Sequence, residues 1–298
     1  MPGNPLPRWL CIAILLTIAT TFGSNHIAAR IAFDHGVNVT TAVAARSLAA
    51  TLFVGALLLA GRVPFALSPA TRWRAVVVGV LIAVQSYCLY SAVARIPVAL
   101  ALLAFNTFPL LFSLLSWAAG GERPARRALI AMPLALCGLA LALDVLGARG
   151  GVARRWSEIG AGVSFALGAA VTFATALYFT SRWLKDVDGR LRTFFTMGTV
   201  ALLMLAAGAL EGKLALPANP GAWLGLGLLM LFYGSAFTAL FVLLPRLDAL
   251  NNSAALNFEP IAVLFLAWPI LGQGVAPRQI VGALLVVGAL VLLSTAKR

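Results

Sequence analysis

Glu259 stands in the run ALNFEPIAVLFLAWPIL (residues 255–271), where apolar residues continue far enough to lie inside a bilayer. An isolated ionised acid at that depth costs about 2.5–3.5 kcal/mol on insertion scales. A water-filled cavity, a cationic or hydrogen-bonding partner, or protonation must offset that cost. Pro260 follows the acid; it lacks an amide hydrogen and leaves the carbonyl of Leu256 without its usual helical partner. The run AFNTFPLLFSLLSWAAG (104–120) repeats the pattern, with Asn106, Pro109 and Trp117 spaced as Asn257, Pro260 and Trp268 are. Two helices are therefore expected to weaken at mid-depth, each beside an asparagine. Asn106 and Asn257 are candidates for lining one shared cavity, and Pro109 and Pro260 for breaking the helices that carry them. Asn257 and Glu259 lie about 200° apart around a helix, so Glu259 is read as a gating or structural partner, with a proton- or substrate-linked role as the alternative.

Other apolar runs add polar and aromatic groups that could face such a cavity: Asn25 and His26, Gln85 and Tyr87, Tyr178, and Tyr233. Tyr178 ends a stripe with Ser164, Gly168, Thr172 and Thr175 at three- or four-residue steps. The imidazole of His26 suits either a proton-linked step or a hydrogen bond between helices. Arg30 and Arg46 are expected toward one membrane surface, where long side chains snorkel. Asp34, four residues beyond Arg30, is placed to pair with it, and Arg46 is read as structural.

The elements that carry these residues follow from composition. Of 298 residues, 61% are hydrophobic and 10% charged, where soluble domains carry about a quarter charged residues. A bilayer core about 30 Å thick needs roughly 20 apolar residues per helix, and the chain consists of such runs joined by short basic or Gly/Pro linkers. The formal charge of +13 is spread over the ends of these runs instead of one face, which argues for topology and against nucleic acid. Cys11, Cys88 and Cys137 show no metal-ligand spacing with one another or with His26 and His35, so neither a metal nor a cofactor is expected. The chain has no HExxH, GxSG-type or Walker A pattern, so it is not expected to be an enzyme. A channel would require a selectivity ring, usually built by oligomers.

Pro, Gly and charge mark ten spans: 9–33, 39–60, 74–94, 97–119, 126–146, 158–183, 191–211, 221–244, 248–271 and 277–295. Shifting the chain by 151 residues lays Arg95 on Arg246, Asn106 on Asn257, Pro109 on Pro260, Trp117 on Trp268 and Gly121 on Gly272. This is a duplication, with repeats at 1–147 and 158–298 and a linker at 148–157. Five helices per repeat is an odd number, so the second repeat threads the membrane in the opposite sense, a recurrent plan of transporters whose site lies between the halves. The expected fold is an all-α membrane protein, ten transmembrane helices in two inverted five-helix repeats around a central cavity. Placing both termini in the cytoplasm puts fourteen Lys and Arg on the inner segments and six on the outer ones, as the positive-inside rule prefers.

The sequence resembles the drug/metabolite transporter superfamily and, within it, the EamA-type ten-helix carriers. The resemblance rests on Arg46 in TAVAARSLAATLF, on FPLLFSLLSWAAGGERPARRALI with Pro109, Gly121 and Glu122, and on EPIAVLFLAWPILGQGVAPRQIVGALLVVGAL with Glu259, Pro260, Gly272 and Gly282. Gln273 stands where the family pattern has the acid supplied by Glu122, and Phe108 where Glu259 stands in the second repeat. The short loops and aromatic-rich helices are most similar to the bacterial aromatic amino-acid exporters. That resemblance implies a bacterial inner-membrane carrier, working as a monomer with the lipid bilayer around it. It would export amino acids by alternating access, with purines, quaternary amines or other drug-like metabolites as the alternative load. Asn and Gln can satisfy both ends of a zwitterion, and Tyr and Trp can accept its apolar side chain.

Overall fold

Runs this apolar can satisfy their backbone groups inside lipid only as helices. In the computed structural model, which describes residues 7–121, 126–143, 151–243, 258–274 and 276–294, all the regular structure is helical. The described helices are α1 (Arg8–Asp34), α2 (Val39–Ala60), α3 (Pro69–Arg95), α4 (Val98–Phe105), α5 (Phe108–Ala118), α6 (Arg126–Ala142), α7 (Gly151–Trp183), α8 (Gly189–Leu210), α9 (Pro220–Leu243), α10 (Glu259–Leu271) and α11 (Pro277–Ser294). Among these residues seven stretches are long and apolar enough to cross a bilayer, with α4 and α5 together forming one of them. Pro133–Ala142 of α6, α10 and most of α11 are shorter apolar helices.

Local chemistry sets the boundaries. The side chains of Asn38, Ser68 and Asp188 accept from backbone amides in the first turns of α2, α3 and α8, and Asn219 does the same for Ala222 in α9. Pro69 and Pro220 follow their caps, at positions where a missing amide hydrogen costs nothing. Gly272 closes α10 in the left-handed conformation, φ 63°. α3 starts at Pro69, five residues before the 74–94 span, and the described part of the expected linker, 151–157, is the first two turns of α7. The fourth span is two helices: α4 stops at Phe105 and α5 begins at Phe108, just ahead of Pro109. Across the break, the Thr107 amide reaches back only to Ala104 O at 3.3 Å.

The packing repeats itself about a pseudo-twofold axis. α1 lies on α9 as α7 lies on α3, α2 touches α9 as α8 touches α3, and α10 covers α1 as α5 covers α7. The remaining large contacts, α2 with α8 and α6 with α11, join equivalent helices across the axis. Small residues permit the closest approaches. A side chain on Gly138 or Gly282 would collide with the facing backbone of α11 or α6, and one on Gly225 with Ala32 of α1.

Candidate functional site

Where the repeats meet, the helices line a partly open cavity of about 360 Å³. Eight of its lining residues form four pairs related by the 151-residue shift: Phe22 with Phe173, Arg46 with Met197, Ile82 with Tyr233, and Phe108 with Glu259. The scaffold is thus symmetric and the chemistry is not. Phenylalanines occupy one pair in both repeats, whereas the first repeat alone supplies a cation and the second alone an acid. Phe105 and Phe237 extend the aromatic wall, and His26, Gln85 and Asn106 add polar groups.

Gly23 explains how the acid reaches its partner. A methyl group there would lie 2.8 Å from Val263 Cγ2, so glycine lets α1 approach α10. One turn later His26 Nε2 stands 3.3 Å from Glu259 Oε1. The carboxylate opens α10, where the helix dipole favours negative charge. His26 Nδ1 is buried and has no hydrogen-bond partner among the described residues.

Arg46 does not snorkel. It is 4% exposed, with Nη1 donating to the Tyr90 hydroxyl at 3.2 Å and Nη2 to Ser86 Oγ at 2.7 Å. Those acceptors pass their own hydrogens on, Tyr90 to Asn25 Oδ1 at 3.0 Å and Ser86 to Gln85 Oε1 at 3.2 Å. One network therefore ties α1, α2 and α3 together around the guanidinium. The faces of the guanidinium are covered by the Tyr90 ring at 4.6 Å and the Tyr233 ring at 4.1 Å. A desolvated cation–π contact contributes about 2 kcal/mol, so two rings and two hydrogen bonds offset an insertion cost of about 2.5–3.5 kcal/mol. Sequence reasoning placed Arg46 near a surface because it counted residues from the helix end; the tyrosine cradle that holds it inside belongs to other helices.

The other expected site residues divide by placement. His26, Gln85, Asn106, Tyr233 and Glu259 line the cavity. Asn25 stands behind it, holding Tyr90. Tyr87 is outside it, 39% exposed on the face of α3 turned away from Gln85, because two helical residues diverge by about 200°. Tyr178 is absent from the lining; it meets Phe179 edge-to-face, and the Arg182 guanidinium lies over its ring. The stripe it ended does not face the cavity as a polar surface. Ser164 is exposed, and Thr172 and Thr175 bond carbonyls of their own helix. Asn106 donates Nδ2 to Leu102 O at 2.8 Å, serving the break above Pro109. Pro260 is buried in the first turn of α10. Asn257, with Glu122, lies outside the described residues. Phe22, Phe105 and Phe173 of the wall were missed, although the 151-residue shift applied to Phe22 finds Phe173.

The family model that matches the chain is that of the EamA-like transporter family, at residues 9–143 and again at 160–295. The chain belongs to the EamA-like transporter family. Two matches of one model on one chain also identify the duplication, so this EamA-like protein is a multi-pass membrane transporter of the drug/metabolite type with ten spans in two inverted repeats. A solved structure described only as the crystal structure of a protein is similar to it, with a TM-score of 0.68 and 20% identity over 97% of this chain and 99% of that one. That likeness concerns the fold alone. No curated protein matches the sequence.

Proposed function

We propose that this transporter exports neutral and aromatic amino acids by alternating access across a bacterial inner membrane. It would work as a monomer, with both termini cytoplasmic. The observation that carries the reading is the cavity wall: phenylalanines from both repeats, one guanidinium and one carboxylate. A zwitterion needs one partner of each sign, and its apolar side chain needs an aromatic surface. The likeness of the sequence to aromatic amino-acid exporters supports the same load. Quaternary amines fit less well, since the buried Arg46 would repel a permanent cation that has no carboxylate to offer it.

The test is counterflow in liposomes without an imposed pH gradient. Labelled phenylalanine is exchanged against unlabelled amino acids, purines and organic cations. Leucine, phenylalanine and tryptophan are expected to compete, and purines and quaternary amines are not. Exchange driven by purines or cations alone, with amino acids silent, would keep the carrier and overturn its load.

A further inference from the structure

We propose that Arg46 is the anchor for the carboxylate of the transported molecule, and that the Tyr233 ring is a cover displaced when that carboxylate binds. The proposal rests on the amino-acid reading for its choice of ligands, and deepens it by requiring an anionic group on the load.

Four observations carry it. First, among the described residues no carboxylate pairs with Arg46; its two hydrogen bonds go to the hydroxyls of Tyr90 and Ser86. Second, Nε is buried with no partner among the described residues, a donor left over beside a cavity in a group whose donors form a rigid fork suited to carboxylates. Third, packing does not require the charge. The equivalent position in the second repeat is Met197, which faces the same cavity from α8 while α8 packs on α2. Fourth, the two covering rings are held unequally. Tyr90 is fixed by its bond to Asn25 Oδ1 at 3.0 Å, whereas among the described residues the Tyr233 hydroxyl reaches only Met197 Sδ at 3.6 Å, a weak acceptor. Ile82, the counterpart of Tyr233, has no aromatic face to offer. Tyr233 therefore covers the cation, and it is the group that can move aside at least cost. Once the ring moves aside, an arriving carboxylate would take Nε and a terminal nitrogen together.

The experiment measures ligand-dependent thermal stabilisation of the purified protein in detergent, which does not depend on transport. The ligands are phenylalanine, 3-phenylpropionate, phenethylamine and phenylalaninamide, so carboxylate and ammonium are varied separately on one apolar group. Wild type is expected to bind phenylalanine and 3-phenylpropionate. Arg46→Gln should weaken both on the order of 10- to 100-fold, the range for a lost hydrogen bond to a charged group, and leave phenylalaninamide, an ammonium that Arg46 only repels, bound at least as tightly as before. A purely structural arginine would weaken the amide equally, and that result overturns the proposal. Should Arg46→Gln not fold, Tyr233→Leu with Arg46 intact decides: removing the cover should tighten 3-phenylpropionate, and weaker or equal binding overturns the role of the ring. Phenethylamine binding to wild type as tightly as 3-phenylpropionate also overturns the anchor. Binding of 3-phenylpropionate without phenylalanine would leave the anchor standing and remove the amino-acid reading.

Discussion

Glu259 shows how a costly residue is accommodated. Its carboxylate has three supports: the α10 N-terminus, His26 Nε2 at 3.3 Å, and a cavity on its open side. None requires the negative charge for the fold to form, since Pro260 still begins the helix. Glu259→Gln is therefore expected to insert normally, and to raise the KM of amino-acid counterflow about tenfold through loss of a charged partner for the ammonium. An unchanged KM would assign the acid to the fold alone. The sequence marked Glu259 because an acid in an apolar run is conspicuous. It gave no comparable mark to Phe22, Phe105 or Phe173, because a phenylalanine on a cavity wall and one facing lipid look alike along the chain. Tyr87 and Tyr178 erred in the opposite direction, since aromatic residues are common in membranes wherever they point.

The broken fourth span is the feature of the helices that the sequence foresaw best. A proline at mid-depth removes one donor and crowds the preceding turn, and α4 and α5 separate ahead of Pro109. The break turns Phe105, Asn106 and Phe108 together toward the cavity. Pro109→Ala should let the two helices fuse, recovering up to about 3 kcal/mol of helix stability while turning these three residues away from the cavity. The expected outcome is a higher melting temperature in detergent with a several-fold lower counterflow rate. Lower stability together with lower rate would mean that the break is needed for folding instead of transport. Gln273, which replaces the acid of the family pattern, acts at the same span: its Oε1 accepts the Val98 amide at 3.1 Å and so caps the start of α4 from the other repeat. An amide serves that purpose as an acid would, so the departure leaves the cap in place.

Across the whole molecule, the two ends of the bundle differ. At the end carrying residues 35–38, 211–219 and 272–274, helix caps cross between repeats. Asn38 Nδ2 donates to Lys213 O, and Asn219 Nδ2 donates to His35 O at 3.0 Å. The caps in equivalent places at the opposite end, Ser68 and Asp188, bond within their own segments, to Thr71 and Arg190. Beside Arg190, the carboxyl of Asp188 is held below its ordinary range by hydrogen bonds from that residue. The first end is thus fastened across the repeat boundary. Two cross-repeat hydrogen bonds at about 1 kcal/mol each bias an open–closed equilibrium by more than tenfold. The double variant Asn38→Ala/Asn219→Ala should accordingly raise the labelling rate of a cysteine placed at the buried Ile96 by about that factor. An unchanged rate would show that these bonds do not hold the end closed.

By itself the sequence determined the spans, the duplication, its inverted sense, and the proline break. Each of these depends on short-range chemistry or on counting: apolar length against bilayer thickness, rare residues at a constant shift, and a missing amide hydrogen. The Arg30–Asp34 pair was legible for the same reason, being one helical turn apart and 2.9 Å from Nε to Oδ1. Only the tertiary structure decided which face of each helix met the others, and with it the role of Arg46. The guanidinium is held by Tyr90, Ser86 and Tyr233, residues 40 and 44 positions away in α3 and far along the chain in α9. A buried cation is tolerable only where such partners converge, and that convergence is a property of packed helices that no single apolar run contains.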